Sequence, residues 1–161
     1  MLKGDFFTIE QISEKDGQTV FLTVMNASHD IYKGHFPGDP ICPGVCNIQT
    51  IRECAEIKLG KKLKIESIAH CKFAALITPQ ACPKLLISLL LENKEDGNIM
   101  AIAKITSPVC AAVKSFAVLS SGVRPSSAIN FFVSYLLRIK SFLSARESEG
   151  ITLRSGSRVF S

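Results

Sequence analysis

The chain has 161 residues, 47% of them hydrophobic and 20% charged, so it is long enough for one domain with its own core and is not expected to be disordered. The formal net charge of +5 comes mostly from the end of the chain. Residues 1–120 hold 13 Lys/Arg and 12 Asp/Glu, whereas residues 121–161 hold six and two. The charge therefore does not point to a nucleic-acid-binding face on the main part of the chain.

The six cysteines form no CxxC pair, and their spacings match no common zinc motif. Four of them stand among aliphatic residues, where an unpaired cysteine behaves as a small hydrophobe. We therefore expect free thiols, no metal site and a reducing, cytoplasmic setting. The first residues lack the apolar segment of a signal peptide, and no apolar run is long enough for a membrane span.

Two strands are predicted at residues 5–12 and 19–25, joined by a hairpin turn at Asp16-Gly17. Residues 26–43 are rich in Gly, Pro, Asp and His, and irregular stretches of this length are usually functional. The pattern then predicts a helix from Gly44 to Leu59, with Gly60 as its C-cap. Four further strands are predicted at residues 63–76, 85–92, 99–106 and 109–119. This order indicates an α+β fold, an antiparallel sheet wrapped around one long central helix.

Composition changes near residue 120, because the last 41 residues contain ten serines whereas the first 106 contain four. We expect a domain at residues 1–120 and a basic, Ser-rich extension at residues 121–161. Apolar side chains recur at helical spacing between residues 130 and 146, which predicts a helix. Packing on the domain and binding to a membrane surface or a partner are both open for this helix.

The segment from Gly34 to Val45 reads GHFPGDPICPGV and places His35 in a loop restrained by three prolines. This loop runs directly into the predicted helix, whose first residues present unpaired N–H groups and a partial positive charge. Such donors can hold a carbonyl oxygen as it becomes an oxyanion. A base beside an oxyanion site suits abstraction of a proton α to a carbonyl. A single histidine in a Pro/Gly loop is, however, often structural or solvent-exposed.

The string GHFPGxPxxPGV resembles the signature of the FabZ/FabA-type 3-hydroxyacyl-(acyl carrier protein) dehydratases, in which it links the second strand to the central helix. The resemblance covers about residues 5–119. It includes a Lys72-Phe73 step followed by Ile77-Thr78-Pro79, although Gln80-Ala81 replaces the Gly-Asp that the family has next. The resemblance implies a hot-dog fold.

By this resemblance, His35 takes the α-proton of a 3-hydroxyacyl thioester, and the amide of Gly44 or Val45 polarises the thioester carbonyl. The acyl chain lies in an apolar tunnel between two protomers, where Phe36 and Val45 are lining candidates. The implied substrate-binding residues are Phe36, Pro37, Gly38 and Pro43. No cofactor is implied, because the phosphopantetheine arm arrives on acyl carrier protein. A homodimer is the expected minimum, and a trimer of dimers fits the family.

The family places a carboxylate on the central helix, five residues after the glycine of the Pro-Gly pair, and this chain has Gln49 there. A glutamine cannot donate an acidic proton, and general acid catalysis contributes roughly 10²–10⁴ in rate. Three interpretations remain open. His35 shuttles the proton while Gln49 holds a water, or Asp39 or Glu53 replaces the carboxylate, or the site binds without turnover.

The polar helix residues have a simpler explanation, because at 100° per residue they share one side of the helix. The apolar stripe is Ile48, Ile51, Ala55 and Leu59, and the polar side is Gln49, Arg52, Glu53 and Glu56. A solvated or interface face, with Arg52–Glu56 as an ordinary i,i+4 pair, would explain the polar side.

The sequence therefore favours a 3-hydroxyacyl-(acyl carrier protein) dehydratase, a lyase of fatty-acid or related lipid synthesis. The first alternative is a hot-dog thioesterase, for which positioning a water would suffice. The second is a non-catalytic acyl-binding subunit of a synthase, which the glutamine at position 49 would explain.

Overall fold

The computed structural model describes residues 1–36 and 38–122. Pro37, the predicted helix at 130–146 and the rest of the extension after Gly122 lie outside the described residues. Within the described part, no helix is both long enough and apolar enough to cross a membrane. The elements are β1 (Phe7–Lys15), β2 (Gln18–Met25), α1 (Ile31–Gly34), α2 (Gly44–Leu59), β3 (Lys64–Phe73), β4 (Lys84–Asn93), β5 (Ile99–Thr106) and β6 (Lys114–Gly122).

The six strands form one sheet in the order β1-β2-β4-β5-β6-β3, and every neighbouring pair is antiparallel. This confirms the predicted antiparallel sheet. Burial alternates along β2, β4 and β5, so one face of the sheet lies in the core and the other is half-exposed. The hairpin between β1 and β2 turns at Asp16 and Gly17, both with positive φ, as its two-residue turn requires.

Helix α2 has the predicted bounds at both ends. Pro43 stands at the N-cap in an extended conformation, and Gly60 ends the helix at φ 65° in the left-handed region that favours glycine. The predicted apolar stripe is in the core, because Ile48, Ile51 and Ala55 are buried. The helix packs against β4.

A solvated face for the polar side of α2 is wrong. Gln49 is only 6% exposed and Glu53 1%, and Glu56 is also buried. The first residues of the chain cover Glu53, because the backbone N–H of Leu2 donates to its carboxylate. Glu56 is bound by the segment after the helix, because the backbone N–H of Leu63 donates to its carboxylate. The expected Arg52–Glu56 pair is present, with 3.7 Å between Nε and Oε1.

The structure adds one element to the sequence prediction and moves several strand ends; for example, β1 is Phe7–Lys15 instead of residues 5–12, and β3 is Lys64–Phe73 instead of residues 63–76. The stretch predicted as irregular contains α1, a single turn that buries Ile31 and Tyr32, and one turn is too short for periodicity to reveal. The last strand begins at Lys114 rather than at residue 109. The hydroxyl of Ser107 accepts the N–H groups of Val109 and Cys110, which holds that segment in a turn. The strand ends at Gly122, and the domain boundary drawn at residue 120 stays a prediction.

The expectation that all six cysteines are free is wrong for two of them. Cys82 and Cys110, 28 residues apart, form a disulfide that joins the turn before β4 to the turn before β6. Distant cysteines can be paired only when the fold brings their backbones close together, and sequence spacing did not show this. The remaining four thiols are free. The reducing setting stays a prediction.

Candidate active site

His35 follows directly on the last residue of α1, in extended conformation, with its ring half-buried. Its ring meets the ring of Phe36 edge-on, with 4.9 Å between centroids. Phe36 has φ 56°, a left-handed conformation that is uncommon for a bulky residue. Such strain persists only where the surroundings impose it, and it concentrates at functional sites. Phe36 is also 58% exposed, so in the single protomer this candidate lining residue faces solvent.

The rest of the loop is held by the backbone. Gly38 has φ 100°, and the N–H of Asp39 donates to the carbonyl of Phe36 over 3.1 Å. Further on, the N–H of Cys42 donates to the carbonyl of Ile77 over 2.7 Å, which ties the loop to the turn before β4. The thiol of Cys42 donates to Oδ1 of Asn47 over 3.1 Å. The loop thus enters α2 along a fixed path.

The start of α2 leaves two donors open. The carbonyl of buried Pro43 accepts the N–H groups of Cys46 and Asn47, over 2.9 and 3.3 Å. Among the described residues, no group accepts the N–H of Gly44 or Val45, and no side chain caps the helix. Both residues are half-buried. This arrangement can donate two hydrogen bonds to an oxyanion at the positive end of the helix dipole.

Phe73 is a site residue that sequence reasoning did not select. A Cβ atom on Gly44 would lie 2.7 Å from Cε2 of Phe73, so the helix start and the end of β3 meet at a distance that only glycine permits. Phe73 stands opposite Ser115 in the β3–β6 ladder. Ser115 is buried, and its hydroxyl has no hydrogen-bond partner among the described residues. The Lys-Phe step in the sequence was the available signal.

Gln49 and Glu53 form a closed cluster one helical turn apart. The amide nitrogen of Gln49 donates to Oε1 of Glu53 over 2.6 Å. Oε1 also accepts the N–H of Leu2 at 2.7 Å, and Oε2 accepts the N–H of Lys3 at 2.8 Å. Within the described residues, no hydrogen bond joins Gln49 to the His35 ring. The structure of one protomer therefore shows no direct link between the two predicted catalytic residues.

The thiols near the helix start are not poised as nucleophiles. Burial raises the pKa of Cys46 to about 12, and burial also raises the pKa of Cys42 well above its ordinary value. A reactive cysteine needs a low pKa and access to solvent. Burial likewise raises the pKa of Tyr32, and the nearby Cys42 and Cys46 add to the shift. The Tyr32 hydroxyl has no hydrogen-bond partner among the described residues. This part of the core supplies packing rather than covalent chemistry.

Comparisons with known proteins identify the family of the chain and support its fold. The ApeI-like family, described as ApeI dehydratase, matches residues 11–111. A 3-hydroxyacyl-(acyl-carrier-protein) dehydratase FabZ from Lactobacillus helveticus is 27% identical over 111 residues, which cover 63% of this chain and 75% of that protein. FabZ from Roseobacter denitrificans is 26% identical over 133 residues, covering 73% and 86%. The dehydratase heterocomplex ApeI:P from Xenorhabdus doucetiae superposes with a TM-score of 0.58 at 18% identity, covering 71% and 96%.

The fold is thus that of the hot-dog dehydratases. Among these, the chain belongs to the ApeI-like dehydratase family. This confirms the family resemblance drawn from the sequence string. The structural likeness, at 18% identity, supports the fold alone. The roles of His35, Gln49, Gly44 and Val45 remain predictions.

Proposed function

We propose that this chain removes water from a 3-hydroxyacyl thioester on acyl carrier protein, giving the trans-2-enoyl thioester, in fatty-acid or related acyl-chain synthesis. The observation that carries the proposal is the pair of open N–H groups at Gly44 and Val45, at a helix start that the hydrogen bond from Cys42 to Ile77 helps to hold. With His35 nine residues earlier in the chain, this supports a base and an oxyanion site at the two ends of one short loop, in a chain of a dehydratase family. No cofactor is needed for this reaction.

In the first half of the reaction, a ring nitrogen of His35 takes the proton from C2 of the substrate. The electron pair of that C–H bond moves toward the thioester carbonyl, whose oxygen gains negative charge. The N–H groups of Gly44 and Val45 donate to this oxygen and lower the barrier, an effect typically worth 10²–10³ in rate. In the second half, the C2=C3 double bond forms, the C3–O bond breaks, and the hydroxyl takes the proton from the imidazolium and leaves as water.

The hydrogen bond from Gln49 to Glu53 limits which atom of Gln49 can contact the substrate. Its amide nitrogen is committed to Glu53, and no described residue donates to its carbonyl oxygen. That oxygen is therefore the group that can accept a hydrogen bond from the departing hydroxyl or from a water. Both oxygens of Glu53 already accept N–H groups. This supports proton delivery by His35, with Gln49 orienting the leaving group, over replacement of the acid by Glu53.

The site is proposed to be completed by a second copy of the chain. In the described sheet β3 has a neighbour on one side only, and its side chains Ile68 and Phe73 are 39% and 42% exposed. An unpaired apolar edge of this kind favours pairing with another strand. In the resulting homodimer, α2 is the helix around which the sheet wraps, and the loop His35 of one protomer faces the helix of the other. Phe36, Pro37, Gly38 and Pro43 would then line the acyl tunnel.

The proposal is tested by incubating the protein with a 3-hydroxyacyl carrier-protein thioester and following the enoyl product by absorbance and mass. We expect His35→Ala to lower kcat/KM by about 10³-fold or more, because the base is lost. His29→Asn is the matched control. His29 accepts the N–H of Ile31 and lies 3.2 Å from Asp5, so its loss should affect stability and leave turnover in place. Equal turnover by His35→Ala and the wild type would contradict the proposal.

The role of Gln49 needs its own variant. We expect Gln49→Ala to lower kcat by about tenfold with little change in KM, since the leaving group loses orientation and keeps its proton source. An unchanged kcat would remove Gln49 from the reaction.

The product also separates the rival functions. Free acid in place of enoyl would indicate a thioesterase. Thioester bound without turnover, and binding unaffected by His35→Ala, would indicate an acyl-binding subunit. Light scattering checks the dimer, and a purely monomeric protein would contradict the completed site.

A further inference from the structure

The Cys82–Cys110 disulfide joins two turns near the surface of the domain. Cys82 is 4% exposed, whereas Cys110 is half-buried and follows Val109, which is 64% exposed. Ala81, next to Cys82, is also exposed. Cys110 is therefore the more accessible of the two bonded cysteines. Thiol–disulfide exchange begins when a thiolate reaches one of the two sulfur atoms, so this exposure allows the disulfide to be opened in the folded chain.

The two turns have contacts that do not depend on the disulfide. The hydroxyl of Ser107 donates to the carbonyl of Lys84 over 2.9 Å, at the end of the β4–β5 ladder, and it also accepts the N–H of Cys110. Sγ of Cys110 lies 3.4 Å from the carbonyl oxygen of Ala81, which can accept the S–H group that reduction creates. We therefore expect reduction to loosen the two turns and to leave the sheet folded.

Hydrogen bonds link the disulfide to the start of α2. The N–H of Cys82 donates to the carbonyl of Thr78 over 2.8 Å, which closes one turn of the backbone. The preceding residue, Ile77, accepts the N–H of Cys42 over 2.7 Å. Cys42 is two residues before Gly44, whose N–H group is one of the two open donors. A change in the position of Cys82 can therefore reach the candidate oxyanion donors through two hydrogen bonds and a short length of backbone.

We propose that the Cys82–Cys110 disulfide is a reversible thiol switch, and that the oxidised chain holds the start of α2 more firmly than the reduced chain does. The effect of the switch on turnover rests on the proposed function. Disulfides in a reducing setting, which the sequence predicts for this chain, are usually transient, catalytic or redox-sensing. The oxidised chain is the more active form, because its oxyanion donors are held in place.

The switch operates by thiol–disulfide exchange with a dithiol. One thiolate of the dithiol attacks Sγ of Cys110, the S–S bond breaks, and its electron pair leaves on Sγ of Cys82, which takes up a proton. The second thiolate of the dithiol attacks its own partner sulfur in the mixed disulfide. Cys110 then leaves, takes up a proton, and the dithiol becomes a cyclic disulfide. Two electrons pass from the dithiol to the cysteine pair, and the reverse reaction forms the Cys82–Cys110 bond again.

The test takes the full-length wild type through mixtures of reduced and oxidised dithiothreitol, and counts free thiols by alkylation and mass. We expect the count to rise from four to six as the pair opens. With the same midpoint, kcat/KM for the carrier-bound substrate should fall by about three- to tenfold, because the helix start is less well positioned. Reoxidation should restore it. The double variant C82S/C110S should show the reduced activity in every mixture.

The matched control is Cys71→Ser, which removes a half-exposed thiol outside the pair and should keep the full response. Hydrogen exchange at the Cys42 amide needs no turnover, so it separates this inference from the proposed function. Faster exchange at Cys42 in the reduced wild type, with no change at buried Ile87 in the sheet, supports the switch even where no enoyl product forms.

Four results would each overturn the inference. The first is a pair that stays oxidised in mixtures that fully reduce glutathione disulfide, and the second is loss of the whole fold on reduction, followed by circular dichroism. The third is unchanged exchange at Cys42, or a kcat/KM that does not fall in an active enzyme. The fourth is loss of the response in Cys71→Ser. All four are read without the double variant, so they hold even if C82S/C110S does not fold.

Discussion

The polar groups in the first turn of α2 and those in the middle of the same helix differ in whether they have hydrogen-bond partners. At the first turn, the N–H groups of Gly44 and Val45 have no acceptor among the described residues. In the middle, the carboxylate of Glu53 is almost fully buried and accepts three N–H groups, from Leu2, Lys3 and Gln49.

The difference distinguishes a candidate ligand-binding region from a region that stabilises the fold. A helix leaves its first N–H groups without partners inside the helix, so the N–H groups of Gly44 and Val45 are available to a ligand. A buried carboxylate with all its partners stabilises the fold and has little capacity left for chemistry. Gln49 lies between the two regions: its amide nitrogen donates to Glu53, and its carbonyl oxygen can accept a hydrogen bond from a ligand. Variants in the two regions, and at the disulfide nearby, test this division.

The largest effect is expected in the closed region. Glu53→Ala would leave the N–H groups of Leu2 and Lys3 and the Gln49 amide without their acceptor, and should lower the free energy of unfolding by about 3–5 kcal/mol. Urea denaturation followed by circular dichroism measures it. Glu66→Ala on β3 is the control, since Glu66 is exposed and its removal should cost less than about 0.5 kcal/mol. A loss below about 1 kcal/mol for Glu53→Ala would show that the cluster is not a support.

The second effect concerns the disulfide, which lies next to the turn that binds the loop before α2. Cys82→Ser/Cys110→Ser removes the closure between residues 28 apart and should cost about 3–4 kcal/mol. The turn before β4 carries Ile77, which accepts the N–H of Cys42. Hydrogen exchange should therefore speed up more at Cys42 than at Leu2 and Lys3. Cys71→Ser serves as the control. Equal acceleration at all three amides would mean that the disulfide supports the whole domain and not the loop in particular.

The third effect is the pH dependence of stability that comes from one buried thiol in each of the two regions. Burial raises the pKa of both Cys46, in the first turn, and Cys54, in the middle, from 9 to about 12. Because the folded pKa is the higher one, the stability from each thiol is complete below pH 9 and is lost as pH rises toward 12. At pH 10 each should cost about 1.4 kcal/mol. Unfolding at pH 8 and 10, with Cys46→Ala and Cys54→Ala, measures the two slopes. Rapid alkylation of folded Cys46 at pH 8 would contradict its burial.

The smallest effect on stability is expected at the helix start. Gly44→Ala gains helix propensity of about 1 kcal/mol and pushes against the Phe73 ring at 2.7 Å, so the net change should stay within about 1 kcal/mol. The half-exposed ring can move, but the proposed oxyanion site would be disturbed, and kcat/KM should fall about tenfold. The double variant G44A/F73A relieves the contact. Recovery of activity in the double variant would confirm that the fit between Gly44 and Phe73 matters, and no loss in Gly44→Ala would refute it.

Local signals account for the parts of the fold that sequence reasoning predicted. The bounds of α2 follow from Pro43 and Gly60, and the first hairpin follows from Asp16-Gly17, because each residue acts on its own backbone. The string around His35 indicated the family through its resemblance to a known signature. The short helix α1 and the late start of β6 were missed because a single turn and the Ser107 contacts leave no periodic pattern.

The sequence by itself determined the order of the six strands and α2, the ends of α2 and the loop that carries His35, since these depend on neighbouring residues. Only the tertiary structure decided the burial of Glu53 under Leu2, 51 residues away, the contact of Phe73 with Gly44, and the pairing of Cys82 with Cys110. These arrangements depend on strand register and on which surface covers which, and such long-range contacts are set by the packing of the whole domain.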